Sequence, residues 1–347
     1  MIQQVTVPEK KQFLDEQHWD VVIAPSSPWW KLNLGEIWRY RDLLRELVVR
    51  DLTAVYKQTI LGPIWVLVQP LITSIMFAVI FGMMARMSLP GIPALLFYMS
   101  AIVPWSFFAG VINKTSATLA ANANLMTKVY FPRLIPPLSS MFSTSFTFLV
   151  QLTLFFVFAL VYLFSGSYAW APGAALLMLP LLLLLEMMLA LGVGLIVAAL
   201  TTRYKDLGFL IGFAVQLLMY MSPVIFPLSR VDVDSPVRSV LEVNPMTPII
   251  EGFRGALLNT PMDWSTLWYS FAFAAVALII GLALFQRAQR SYADVVGDGN
   301  KKLETGNRKA ETRNWKVENL RPSARSVLSA FHSRSTSPTF PTSKLNP

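Results

Sequence analysis

The stretch RYRDLLRELVVRDLTAVYKQTILGPIWVLVQP, residues 39–70, decides how the chain is read. In its first half Tyr40, Leu43, Leu44, Leu47, Val48, Leu52 and Val55 recur at spacings of three and four, which marks one apolar helix face. Arg39, Arg41, Arg45, Glu46 and Arg50 occupy the rest of the surface. A helix divided in this way lies in a membrane interface and does not cross the bilayer. Leu61-Gly62-Pro63 then breaks the pattern, and an apolar run begins at Ile64. The order predicts an interfacial helix over 35–58, a turn, and a first crossing. Asp51 falls inside the apolar stripe, where a carboxylate needs either water or a specific donor. The pattern leaves both readings open.

Outward from this stretch, composition sets the class. The chain has 347 residues, 54% hydrophobic and 14% charged. Several apolar runs reach the roughly 20 residues that span a bilayer, so an ordinary soluble protein is excluded. The runs are continuous rather than alternating, which speaks for helices against a barrel. Cysteine is absent, which removes disulfides, thiolate metal sites and thiol nucleophiles. His18 and His332 both lie outside the apolar runs, so no intramembrane histidine relay is available. The first 30 residues lack the basic-then-apolar order of a signal peptide.

The fold class expected is an all-α polytopic membrane protein with six crossings. They fall at about 64–85, 94–112, 138–164, 174–200, 207–228 and 264–286. Pro70 is placed to kink the first. Between the fifth and sixth, Ile249 to Leu258 is too short to cross and suits a re-entrant helix, with Thr247-Pro248 as its start. Lys/Arg residues gather before the first crossing, between the second and third, and between the fourth and fifth, which predicts both termini on the cytoplasmic side. The segments are then a leader over 1–34, the interfacial helix over 35–58, a six-span domain over 59–296 and a basic tail over 297–347. The tail holds ten Lys/Arg against four Asp/Glu, two thirds of the net charge of +9. Its composition predicts disorder, and anionic lipid or simple solvation accounts for its charge better than nucleic acid does.

Few residues promise chemistry. No phosphate-binding loop, zinc spacing or G-x-S-x-G motif occurs, so ATP is not held on this chain by a phosphate loop. Glu186 stands within the fourth crossing, in LLLLLEMMLALGVG (181–194), where a charge must be neutral, paired or facing water. Gln151 and Gln216 are its candidate partners. Gly192 and Gly194 on the same helix permit close helix approach. Tyr98, Trp105, Phe107 and Phe108 of the second crossing either face lipid near the interface or line a conduit, where aromatic faces suit sugar rings. Asp232 and Asp234 are the only acidic pair suited to a loop-borne transferase.

Four fragments carry a resemblance: RDLLRELVVRDLTAVYKQTILGPIWVLVQPL (41–71), NLMTKVYFPRLIPPLSS (124–140), TTRYKDLG (201–208) and NPMTPIIEGFR (244–254). In this order they resemble the membrane subunit of type-2 ABC exporters for polysaccharides, over about residues 36–296. The resemblance implies a homodimer with two separate ATPase subunits that bind ATP and Mg, and export of a lipid-linked polysaccharide such as O-antigen across the bacterial inner membrane. It implies no cofactor in this chain. It implies ATPase coupling through the interfacial helix, where Arg41, Arg45, Glu46, Arg50 and Asp51 lie. A second coupling element, between the second and third crossings, matches Lys128, Tyr130, Phe131, Pro132 and Arg133. The competing classes are a type-2 ABC exporter of a drug or lipid, and a membrane glycosyl- or phosphotransferase.

Overall fold

The protein is described here by a computed structural model covering residues 34–57, 64–122, 131–171, 173–204, 206–232 and 234–288. Two helices, α1 (Leu34–Arg39) and α2 (Arg41–Lys57), meet at Tyr40. Helix α3 (Ile64–Phe77) contains Pro70 and continues as a π-helical stretch over Ala78–Met84. Then follow α4 (Ala94–Ala121), α5 (Ile135–Phe164), and α6 (Leu179–Arg203), which is entered through a 3₁₀ turn at Ala174–Met178. Helices α7 (Leu207–Tyr220), α8 (Pro236–Val243) and α9 (Met246–Leu258) precede α10 (Trp264–Ala288). Among the described residues every regular element is helical.

Helix α4 is the central pillar, and α3, α5, α6 and α9 all pack against it. Its sequence is apolar on every side, as a helix enclosed by others must be. Leu96, Phe97, Ile102, Phe107 and Ile112 are all buried. The outer helices α3, α5 and α10 instead leave apolar side chains such as Ile72, Phe146 and Ile279 exposed, the surface that a bilayer or another subunit covers. Among the described residues five helices are long and apolar enough to cross a membrane: Ile64–Met84, Ala94–Ala121, Ile135–Phe164, Ala174–Thr202 and Trp264–Ala288.

Two expected crossings change. The second does not stop near residue 112. At 28 residues, α4 is about 42 Å long against about 30 Å of hydrocarbon. The first part of the Ala-rich run, from Asn113 to Ala121, is thus a helical extension, and the chain from 123 to 130 lies outside the described residues. The expected crossing over 207–228 is a helix only to Tyr220, 14 residues or about 21 Å. Pro223 has no N–H to continue the helical ladder and disfavours helical backbone at Ser222, so the chain turns there.

Glycine decides how closely α6 and α10 pack. A Cβ on Gly192 would lie 2.6 Å from Leu278 N, so the two backbones touch. Gly281 faces Gly192 O in the same way. Gly194 packs on the Thr115 side chain of α4. Both glycines singled out in α6 are therefore contact points between helices.

The hairpin α8–α9 is fastened at the end of the bundle where α3 turns into α4. Asn244 Nδ2 donates to Met221 O (3.0 Å) and Ser222 Oγ (2.8 Å). Arg230 donates to Arg86 O (2.7 Å) and Ser88 O (3.0 Å). Ser270 Oγ donates to Pro245 O (2.7 Å). Thr247 is not the start of α9. The helix begins at Met246 with Pro245 as its cap residue, Asn244 Oδ1 accepts from Met246 N (3.0 Å) in a turn just ahead of it, and Thr247 Oγ1 is buried with no partner among the described residues. Proline supplies a backbone φ already close to the helical value and no N–H that needs a partner, so the helix can open there without a side-chain cap.

Candidate functional site

The candidate site lies at the end of the bundle where α2 meets α4 and α5. Leu47 of α2 is buried against Phe131 and Ile135, with Tyr40, Leu43 and Leu44 partly buried around them. The predicted apolar stripe is therefore committed to this bundle's own helix α5. Phe131, expected among the coupling residues, is one of the side chains that hold α2 in place, and its ring is buried. Pro132 and Arg133 are half-buried in the turn into α5. Lys128 and Tyr130 lie outside the described residues.

One helical turn beyond Leu47 stands Asp51, and one turn beyond Ile135 stands Ser139. Spacings of four put each pair on one face. The carboxylate meets donors. Arg50 Nη2 (2.8 Å) and Nε (3.1 Å) both donate to Asp51 Oδ1, and Ser139 Oγ stands 3.5 Å from Oδ2. The serine's shorter bond is to Pro136 O at 2.9 Å, so its contact with Asp51 is the weaker branch. Arg50 Nη2 also donates to Asn122 Oδ1 (3.2 Å), and Asn122 Nδ2 donates to Thr118 O (3.0 Å), which fixes the amide. Lys114 of α4 lies within reach of the Asp51 charge. Of the two readings of Asp51, the one with specific partners holds.

Arg41, Arg45 and Glu46 are exposed on the other face of α2, with Arg41 stacked over Trp38 at 5.9 Å. Arg50 is exposed too, yet its guanidinium is engaged within the chain. Asn122 and Ser139 were not anticipated as site residues. Asn122 ends the Ala-rich run, which is a helix-stop signal, but nothing local shows that it meets Arg50, 72 positions earlier.

Elsewhere the expected sites rearrange. Tyr98, Trp105, Phe107 and Phe108 are all buried within the chain and away from its outer surface, and Phe108 lines an apolar cavity of about 540 Å³ together with Leu189, Val193, Leu218 and Phe273. Phe107 packs edge-on against Phe148 at 5.6 Å, and Tyr98 against Phe77 at 6.0 Å. They fill the core because α4 is enclosed on every side. Glu186 is buried, and among the described residues neither carboxyl oxygen has a hydrogen-bond partner. Its expected partners are elsewhere: Gln151 Nε2 donates to Val66 O (3.1 Å), and Gln216 is exposed. Asp232 and Asp234 are both exposed. Among the described residues no group of acids or histidines is arranged to hold a metal ion.

An ion pair of a buried arginine and a half-buried glutamate, which sequence reading did not single out, lies in α9. Arg254 Nη1 donates to Glu251 Oε1 (2.8 Å), Nη2 to Pro223 O (2.8 Å), and the guanidinium lies 4.2 Å over the Phe97 ring. Glu251 Oε1 also accepts from Leu228 N (3.0 Å). The i, i+3 spacing of opposite charges was the available signal.

Long apolar helices packed around α4, an amphipathic helix docked on α5 and a short helical hairpin make up the described architecture. The family model for the ABC-2 type transporter matches residues 42–258, well over half the chain, and the protein belongs to that family. Among its curated relatives is the O-antigen export system permease protein RfbA of Klebsiella pneumoniae, 24% identical over 266 residues, covering 77% of this chain and 98% of the relative. RfbA of Myxococcus xanthus is 24% identical over 262 residues, covering 75% and 98%. The polysialic acid transport protein KpsM of Escherichia coli is 23% identical over 247 residues, covering 71% and 93%.

Proposed function

We propose that this chain is the permease subunit of an ATP-driven exporter that moves a lipid-linked polysaccharide out of the cytoplasm across the bacterial inner membrane. The observation that carries the reading is end-to-end similarity to permeases named for O-antigen and polysialic acid export. The energy source is a separate ATPase subunit that binds ATP and Mg, because this sequence has no phosphate-binding loop. The working unit is two copies of this chain with two ATPase subunits. Both termini face the cytoplasm, where the ATPases dock on α2 and the α4–α5 junction.

A sixth crossing is part of this reading, made by α7 and the turns over 221–227 that follow it. Two contacts support it. Thr201 Oγ1, just before α7, donates to Ser116 O (2.9 Å) near the far end of α4, whereas Arg230, just after, donates to Arg86 O and Ser88 O at the α3–α4 turn. The segment thus joins opposite ends of α4. ATP binding and hydrolysis in the partner would bias a rearrangement of the two copies.

The test is reconstitution. The chain co-expressed with its partner ATPase is expected to restore surface polysaccharide in a strain lacking the permease. Purified alone, it is expected to hydrolyse ATP at background rate. Turnover by this polypeptide alone, or failure of any ATPase to co-purify, rejects the assignment.

A further inference from the structure

Arg50 and Asp51 lie on the helix proposed to receive the ATPase, and a half-exposed arginine there invites reading as a docking contact. The geometry points elsewhere. Neighbouring residues on a helix do not face one another, so the Arg50 side chain must fold back to reach Asp51. In doing so it brings Nη2 within 3.2 Å of Asn122, the residue that caps α4. Asp51 Oδ2 in turn faces Ser139 in the second turn of α5 at 3.5 Å. One turn back along α2, Leu47 is buried against Phe131 and Ile135. The segment between α4 and α5 is therefore held at both of its ends by the same two turns of α2.

We propose that Arg50 and Asp51 are an intramolecular strut, fastening the interfacial helix to the ends of α4 and α5 so that the two cytoplasmic coupling elements move as one body. This rests on the permease reading for its functional consequence, though not for its geometry. The partner-facing charges are then Arg41, Arg45 and Glu46. A push received on α2 reaches α4 through Asn122 and α5 through Ser139 together. In this role Arg50 and Asp51 are positioning residues: they touch no substrate or nucleotide.

The chain contains no cysteine, so thiols can be introduced singly. Arg50→Cys with Asn122→Cys removes the link, and a bifunctional methanethiosulfonate about as long as an arginine side chain restores it covalently. The complex of full chain and ATPase is expected to assemble in both states, to lose export per ATP hydrolysed when unlinked, and to regain it when bridged. Normal export without the bridge, loss of ATPase co-purification, or failure of the bridge to restore export overturns the strut. Asp51→Asn, close to isosteric, is expected to keep the ATPase bound while lowering export per ATP. A second measurement is independent of transport. In the full chain in membranes, Arg50→Ala and Asn122→Ala are each expected to lower the apparent melting temperature by about 1–3 °C, with the double variant no worse than the single ones. Additive shifts overturn the link itself. A non-additive result in a chain that exports nothing leaves the strut standing and rejects the permease reading.

Discussion

Glu251 and Arg254 show how much a single pair can carry. Arg254 is fully buried and its charge is matched by one carboxylate, one carbonyl and one aromatic face. Glu251 also accepts from Leu228 N, so the pair ties α9 to the segment that leaves α7. Glu251→Ala is expected to cost about 3–5 kcal/mol, because it strands the guanidinium in the interior. Replacing both together, Glu251→Met with Arg254→Leu, is expected to be milder than Glu251→Ala alone, since no uncompensated charge remains. Thermal melting of the three proteins in one detergent checks the order, and a double variant worse than the single one contradicts it. The contrast with Arg50 and Asp51 lies in the arginine. The two carboxylates are alike, 20% and 22% exposed, but Arg254 is fully buried and Arg50 is 51% exposed, so the Arg50–Asp51 pair adds little to stability and its value lies in position.

At the scale of elements, α6 and α10 are held apart by backbone alone at Gly192. Gly192→Ala would place a methyl 2.6 Å from Leu278 N and 2.8 Å from Ala277 C, and neither atom can swing aside. The helices must separate, at a cost of about 1–3 kcal/mol or more, seen as a lower melting temperature. Gly208→Ala in α7 is the control: nothing lies within 4 Å of its added Cβ, and helix propensity favours alanine. It is expected to be neutral or slightly stabilising. Helix α2 supplies the other prediction at this scale. Its apolar face is committed to α5, whereas Arg45 is exposed on the opposite side. Arg45→Glu is expected to leave membrane abundance unchanged and to weaken ATPase co-purification, because exposed charges choose partners more than they stabilise folds. Undiminished co-purification with normal surface polysaccharide removes Arg45 from the docking face.

For the whole molecule, the family match ends at residue 258, and the aligned relatives cover about three quarters of the chain. The basic residues after Gly297 lie beyond the stretch that the family model matches. Truncation after Gly297 is expected to leave surface polysaccharide intact at normal protein levels. Loss of export by the truncated protein, with its abundance unchanged, would assign the tail a role in transport.

Periodicity and run length made the helical class, the amphipathic helix α2 and five helices long and apolar enough to cross a membrane legible, because both are local consequences of burying apolar side chains at a repeat of 3.6. The oddity of Asp51 was legible too, since one charge in an apolar stripe stands out within a few turns. What surrounds each residue was not. Tyr98, Trp105, Phe107 and Phe108 read equally well as a lipid belt or a conduit wall, and only the packing of α3, α5, α6 and α9 around α4 made them core. Glu186 had two plausible amides in neighbouring helices, yet helix rotation turned Gln151 toward Val66 and left Gln216 on the surface. Arg50 read as a free surface charge until Asn122 was brought beside it from 72 residues away. Local pattern reports which face of a helix is apolar; which neighbour meets that face depends on how several helices pack at once, and that is a property of the tertiary structure alone.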